Sequence, residues 1–422
     1  MNTVFEQLSL RQIYCLPFGR QLIIYGQWQS LDKEERSWLH QEKERIINSE
    51  NNSSVLPLPC WLNAIVLSEM ISSDCSQFGL FYLAPDSISP EPSRLKSLLE
   101  GLYRTFPLLN SAVEWGDSGL TLRLFTSPYN GEPEYKGSVQ YSDVQAFIRE
   151  QLQHPHSVFE RGMLRIVCAH CGKELRWGIW LHHLIADADF VQKLLFHVQT
   201  WLKTAMWPEP DLNFIQQIWM LEQQLVVHRK RLQAFWSDQK TLFSTLAPPP
   251  SRELLSEKTQ SFTLPDEPQI FTHVTLLLSR ALAKLNINGP QLAVAPVTLR
   301  RMEHNVSSGC YVNLLPVLLD AHYEATEFNR LRLLWLEHAL LPQEEITALS
   351  GLDYRDAIVM INFIGTSIET EGFQHHPEFR SRKPITLTLN QGSSGVWHAK
   401  LTTRWGEAFS RVLYSTLIEE VS

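Results

Sequence analysis

The stretch Leu181-His182-His183-Leu184-Ile185-Ala186-Asp187-Ala188-Asp189-Phe190 brings together two adjacent imidazoles and, four residues after the second, a carboxylate. An imidazole titrates near neutral pH and can take or give a proton, which makes it the commonest acid or base among side chains. The apolar run 175–182 reads as a strand and 190–203 as the helix that follows, so the polar cluster sits at the turn between them. Neighbouring side chains on a strand point to opposite faces. One histidine therefore enters a cleft while the other faces the packing behind it, and only one is expected to do chemistry. Two histidines at a strand end are, by themselves, more often satisfied structural residues, so the rest of the chain has to decide.

The elements that must position this turn are legible as an alternation of strands and helices. A strand at 21–25 is followed by Asp32-Lys33-Glu34-Glu35, which has the form of a capping box and starts a helix through about Ile47. A polar linker, 48–54, comes next, and the segment 1–54 is either a structural flap or a docking element for a partner protein. The main body is expected to open with a helix near 61–70 and a strand at 78–83. Leu95, Leu98, Leu99, Leu102 and Tyr103 then fall on one helical face between Ser93 and Phe106. Residues 112–115 and 120–125 form a hairpin across Gly-Asp-Ser-Gly, 144–153 a short helix, and 164–170 with 175–182 a second hairpin. In the 190–203 helix Val191, Leu194, Leu195, Val198 and Leu202 face inward. Pro208-Glu209-Pro210 is the expected boundary between an N-terminal lobe, 55–208, and a C-terminal lobe, 209–422. A long helical region runs from Asn213 to Phe243, ended by three prolines, and a helix is expected at 270–285. Strands are expected at 261–264, 291–299, 310–319, 357–363, 385–389 and 397–403, and a last helix at 407–419. The fold class is α+β.

Composition narrows the function. The 422 residues carry 44% hydrophobic and 19% charged residues and 13 Trp, enough to bury sizeable cores. A net charge of −8, with no basic run longer than His228-Arg229-Lys230-Arg231, argues against a nucleic-acid surface. The first 19 residues lack the pattern of a signal peptide and no apolar run spans a bilayer, so a soluble, cytoplasmic protein is expected; a monomer is expected as well. The six cysteines, Cys15, Cys60, Cys75, Cys168, Cys171 and Cys310, are scattered as reduced thiols would be. Cys168-Ala169-His170-Cys171 looks like half a metal site but has no second half at a suitable spacing, and it reads as hairpin packing beside Gly172-Lys173. No metal is expected. His154, His156, His375 and His376 fall in polar loops and are expected on the solvated surface.

Beyond the histidines, an ordered series of motifs runs along the chain. Phe159-Glu160-Arg161-Gly162-Met163-Leu164-Arg165 leads into the histidine strand, and His182-His183-Leu184-Ile185-Ala186-Asp187 has the form HHxxxD. Ala295-Pro296-Val297-Thr298-Leu299-Arg300, Ser308-Gly309-Cys310-Tyr311-Val312-Asn313-Leu314-Leu315 and Ile361-Asn362-Phe363 follow in order, and Arg104-Thr105-Phe106-Pro107-Leu108-Leu109 precedes them. From about Leu56 to the C-terminus this series resembles the condensation-domain superfamily of nonribosomal peptide synthesis, which is related to chloramphenicol acetyltransferase. The resemblance implies two chloramphenicol acetyltransferase-like lobes, each a mixed sheet with packed helices, in a V-shaped pseudo-dimer with a central tunnel. It implies His183 as the catalytic group, with His182, Asp187 and Arg300 as structural residues of the site, Asp187 pairing with Arg300. Ala188 and Asn313 are possible cleft residues, Asn313 being either a hydrogen-bonding group or a turn residue.

The activity implied is that of a free-standing acyltransferase in nonribosomal peptide or polyketide biosynthesis. Its acyl donor would be presented on the phosphopantetheine arm of an acyl or peptidyl carrier protein, with no cofactor bound to the chain itself. The acceptor would be an amine, including a polyamine, an alcohol, or a second carrier-bound chain. A thioester is already activated, so transfer needs a positioned nucleophile, a proton acceptor and donors for the oxyanion. Two alternatives are a catalytically silent module that recruits a carrier or tailoring protein, and an acyltransferase fed by acyl-CoA. The chain departs from the family pattern at Ala188, where a glycine is usual. It lacks the aspartate replacement of heterocyclisation domains, a clear epimerisation motif near Arg301-Met302-Glu303-His304, and the Asp-Phe-Gly-Trp-Gly motif of plant-type acyltransferases.

Overall fold

The computed structural model describes residues 8, 11, 13–18, 21–47, 53–71, 78–88, 90–116, 119–125, 132–141, 144–153, 156–171, 174–300, 307–366, 372–376, 383–392 and 395–421. Asn48, His154, Gly172-Lys173, the centre of the Gly-Asp-Ser-Gly turn and Arg301 to His304 lie outside them. The chain divides into two compact units. The first comprises Met1–Gln223, Met302–Cys310 and Thr370–Glu378, and the second Gln224–Arg301, Tyr311–Glu369 and Phe379–Ser422. Both combine β-sheet with packed helices, giving the α+β class.

Among the described residues the N-terminal part of the first unit holds nine strands: β1 (Ile13–Phe18), β2 (Gln21–Gly26), β3 (Ser53–Pro57), β4 (Gly79–Leu83), β5 (Ser111–Gly116), β6 (Gly119–Phe125), β7 (Glu134–Tyr141), β8 (Leu164–Cys171) and β9 (Glu174–His182). They form a two-stranded sheet β1-β2, a three-stranded sheet β3-β6-β5, and a five-stranded sheet in the order Gln374–His376, β4, β9, β8, β7. Only β7 and β8 run parallel in the last, so the sheet is mixed. The edge strand Gln374–His376 comes from far along the chain and pairs with Leu83, Tyr82 and Phe81. His375 and His376 are therefore part of a strand and not of a polar loop. Three polar residues carry no alternation by which a strand could be read.

The N-terminal segment has a small core of its own, Leu8, Ile13, Leu31, Leu39 and Ile46, with Cys15, Leu22, Ile24 and Trp38 packed against it. Its helix, Lys33–Ile47, starts at the expected capping box: Glu35 N–H donates to Asp32 Oδ1 at 2.8 Å, and Asp32 N–H donates to Glu35 Oε2 at 2.9 Å. Two orphan amides at the helix start are thereby satisfied reciprocally.

In the second unit a six-stranded sheet runs in the order Lys258–Leu264, Trp397–Thr403, Ile385–Gln391, Val359–Thr366, Gln291–Thr298, Val312–Leu319, with two parallel pairings at its centre. The apolar helix Ile270–Lys284 buries Val274, Leu277, Leu278, Ala281 and Leu282. The break between units falls within the helix Asn213–Asp238 and not at Pro208-Glu209-Pro210. The preceding helix ends at Thr204 with Ala205 in the left-handed conformation, and the one that follows has no interior Gly or Pro and runs unbroken for 26 residues.

Strand β9 carries the histidines, and it is central, flanked by β4 and β8. Its last six residues are all buried, since both faces of the strand are covered. Gly178 makes that possible, because a Cβ there would lie 2.4 Å from Phe81 Cζ and 2.9 Å from the Tyr82 carbonyl oxygen. The neighbour is partly backbone and cannot swing aside. Gly178→Ala is expected to cost about 1–3 kcal/mol through overpacking, read as a lowered midpoint in urea with an unchanged m-value.

Candidate functional site

The end of β9 is fixed by main chain first. Gly79 of β4 pairs with His182, and His182 N–H donates to the Met163 carbonyl at 2.9 Å. His182 is then held by both ring nitrogens. Nδ1 accepts from Leu184 N–H at 3.0 Å, so Nε2 carries the proton of the neutral ring and donates to Glu69 Oε2 at 3.0 Å. Glu69 is itself buried on the helix Asn63–Ile71, and its other oxygen accepts from Val158 N–H at 3.0 Å. Phe78 and Trp180 flank the His182 ring. Burial pulls the His182 pKa below its ordinary value of 6.5, against the opposing pull of the Glu69 hydrogen bond and charge. With its ring enclosed and both nitrogens engaged, His182 is framework.

His183 opens the single turn His183–Ile185 and is only half-buried. Its Nδ1 lies 3.8 Å from Cys310 Sγ. Asp187 is buried and caps the helix Ala188–Thr204, its Oδ1 accepting from Phe190 N–H at 3.0 Å, and Val191 N–H donates to its carbonyl at 2.9 Å. Ala188 is the first residue of that helix, a position where alanine fits a helical backbone better than glycine by up to about 1 kcal/mol.

The remaining expected site residues belong to the second unit. Arg300 places its guanidinium over the Tyr311 ring, 4.3 Å from the centroid, a cation–π arrangement. Asn313 is 2% exposed and donates both amide protons, to the Ala339 carbonyl at 2.7 Å and the Leu341 carbonyl at 2.8 Å, while its oxygen accepts from Leu314 N–H. It anchors the turn after the helix Ala325–Glu337, where both its donors are engaged.

Two buried carboxylates were missed in the sequence. Glu69 interrupts the run Ile65-Val66-Leu67 to Met70-Ile71, and a lone charge in such a run is a signal for a buried partner. Asp211, directly after Pro210, is 5% exposed. Its Oδ2 accepts from Lys193 Nζ at 3.0 Å and Ser308 N–H at 2.8 Å, and its Oδ1 from Asn213 N–H at 3.2 Å. His156 also departs from expectation: it is 4% exposed, its Nδ1 lies 2.8 Å from Glu160 Oε2 and contacts Arg165, and its ring stands edge-on to Trp180. Polar neighbours in sequence here fold over an aromatic surface. Cys168 to Cys171 end β8 and pair with Trp177 to Glu174, and burial pushes the Cys168 thiol up to about 11. Among the described residues no group of three or more His, Cys, Asp or Glu is placed to hold a metal ion, and no helix is long and apolar enough to cross a membrane.

Solved structures resemble this fold at low sequence identity. The condensation domain of the Monacolin K polyketide synthase MokA is 12% identical, with a TM-score of 0.67 over 87% of this chain and 96% of its own. A double variant of the starter condensation domain of rhizomide synthetase RzmA, in complex with an acyl-CoA and Leu-SNAC, is 14% identical, with a TM-score of 0.69 over 87% and 95%. The chain has the condensation-domain fold. The cyclization-docking bidomain of the nonribosomal peptide synthetase EpoB from Sorangium cellulosum, 11% identical with a TM-score of 0.66, spans 100% of this chain and 98% of its own. No protein-family model matches the sequence, and no curated protein does.

The depressed His182 pKa has a consequence for stability in this condensation fold. A histidine whose folded pKa lies below its unfolded value of about 6.5 is protonated first in the unfolded chain. Stability is complete above about pH 6.5 and falls as the pH drops towards the folded value. His182→Gln can still donate to Glu69 but does not titrate, so thermal melts from pH 7.5 to 5 should show a shallower acid-side decline than the parent. Equal declines would remove His182 from the account.

Proposed function

We propose that this protein is an acyltransferase of the condensation type, moving an acyl group from a phosphopantetheinyl carrier-protein thioester to an amine or hydroxyl in nonribosomal peptide or polyketide biosynthesis. The observation that carries the proposal is the division of labour between the two histidines on a condensation-domain fold. His182 is locked between Glu69 and Leu184 N–H, and this fixes the turn from which the half-buried His183 projects. His183 is the base: it takes the proton of the attacking amine or hydroxyl as the new bond forms to the thioester carbon. The C–S bond then breaks, and the pantetheine sulfur leaves as a thiol after receiving the proton. General-base help of this kind is worth about 10² to 10⁴ in rate, and holding the nucleophile in place contributes more in favourable cases.

His183→Ala should lower transfer by about 10² or more while leaving the melting temperature and circular dichroism of the parent intact. The test is product mass after incubation of amines and alcohols with donors on a loaded carrier protein and, separately, on CoA. Full transfer by His183→Ala overturns the catalytic assignment. A preference for CoA favours the acyl-CoA-dependent alternative, for which the acyl-CoA complex of the rhizomide starter domain is the precedent. No transfer from either donor favours the silent recruiting module.

A second reading concerns the N-terminal segment. Condensation domains solved alone leave 13% of this chain uncovered, whereas the cyclization-docking bidomain spans all of it. The segment also has its own core and its own two-stranded sheet. It is proposed as a docking element for the polypeptide that delivers the donor. Deleting residues 1–52 should reduce transfer from a donor carried on that polypeptide about tenfold or more, the loss of effective concentration expected when a second contact is removed. Transfer from a small pantetheine thioester should be unchanged. Equal effects on both donors would make the segment a structural flap.

A further inference from the structure

The segment 307–310 is built against the histidine turn. Gly309 adopts φ 130°, a left-handed-side conformation that favours glycine, and its carbonyl accepts from Asp187 N–H at 3.4 Å beside a short parallel pairing with Ala186. Ser308 N–H is held by Asp211, Ser307 Oγ donates to Gln217 Oε1 at 2.5 Å, and the Cys310 carbonyl accepts from Trp61 Nε1–H at 3.0 Å. These bonds fix the main chain from which Cys310 projects. Its side chain is buried, and Sγ stands 3.8 Å from His183 Nδ1, within reach for a hydrogen bond to sulfur.

We infer that Cys310 is a positioning residue for His183, its sulfur accepting the Nδ1 proton so that the lone pair of Nε2 faces the incoming nucleophile. The contact stands on geometry, while the role of Nε2 rests on the acyl-transfer reading. A neutral imidazole carries one proton, and the partner of one nitrogen decides the state of the other. A base acting through Nε2 needs the proton on Nδ1, and the sulfur is a group placed to receive it. Sulfur is a weak acceptor. It orients the ring without the negative charge that a carboxylate would place beside it. Such a base suits an acceptor that attacks an already activated thioester.

The experiment is nitrogen NMR of the full chain labelled with ¹⁵N-histidine, for the parent, Cys310→Ala and Cys310→Ser, with the His183 signals identified by their absence in His183→Ala. The parent should show the proton on Nδ1. Cys310→Ala should move His183 to a mixture of both tautomers and displace its titration midpoint, and Cys310→Ser, which restores an acceptor, should return both towards the parent. In acyl transfer, Cys310→Ala should lower kcat on the order of tenfold with KM unchanged, and shift the pH profile of kcat, as expected for losing a weak orienting bond and not the base itself. A parent with its proton on Nε2, or a His183 spectrum indifferent to Cys310→Ala, overturns the inference. If the spectra respond but no donor supports transfer, the acyl-transfer reading falls and the contact stands. If transfer occurs and the spectra do not respond, the reading stands and the contact has no positioning role.

Discussion

A buried imidazole with both nitrogens engaged is the constraint on which the rest of the site depends. His182 cannot rotate without breaking a bond to Leu184 N–H on one side or to Glu69 on the other, and Glu69 cannot move without releasing Val158 N–H. In an interior of low dielectric each such break leaves a polar group unsatisfied, at a cost of about 1–3 kcal/mol. The last residue of a central strand is thereby fixed in ring orientation as well as in main chain. Everything after it inherits that precision: the turn bearing His183, the cap supplied by Asp187, and the 17-residue helix that the cap begins.

A second buried carboxylate extends the same logic. Asp211 gathers Lys193 from that helix, Asn213 from the next and Ser308 from a distant segment. Three donors converge on one ionised group, which answers the desolvation that a buried charge would otherwise suffer. The hydrogen bonds of both carboxylates go to residues other than His183. Both act through the main chain that carries its neighbours, so the half-buried histidine sits in a frame whose strongest bonds lie behind it.

Local pattern made the frame legible and long-range pairing hid its fastenings. The β8-β9 hairpin, the helix after Asp187 and the Asp32/Glu35 capping box are written in periods of two and 3.6 and in cap chemistry, which a single sequence displays. Glu69 lies 113 residues before His182 in the chain, and the signal for it is only its intrusion into an apolar run. His156 misled because its sequence neighbours are polar, while the ring it packs against, Trp180, arrives on another strand. Asn313 left two readings open, a hydrogen-bonding group of a cleft or a turn residue, because its motif does not show that its amide donates to two carbonyls of a turn. Proline punctuation at 208 to 210 lies between two helices but carries no information about where contacts divide.

The first compact unit is not one continuous piece of chain. Its sheet is completed by Gln374–His376, and Gly309, which meets Asp187, comes from Met302–Cys310. A ribosome reads the chain from one end, at about 5–20 residues per second. While the first three hundred residues emerge, the histidine turn therefore lacks its brace and β4 lacks its edge partner. For some seconds that edge offers unpaired amides and carbonyls to any other strand. Native closure then requires loops of more than a hundred residues, an entropic cost that slows the search even though it adds little to the final free energy. The same two insertions that finish the site make the nascent protein a candidate for chaperone binding during synthesis, and they mean that cutting the gene at residue 223 would not yield a complete first half.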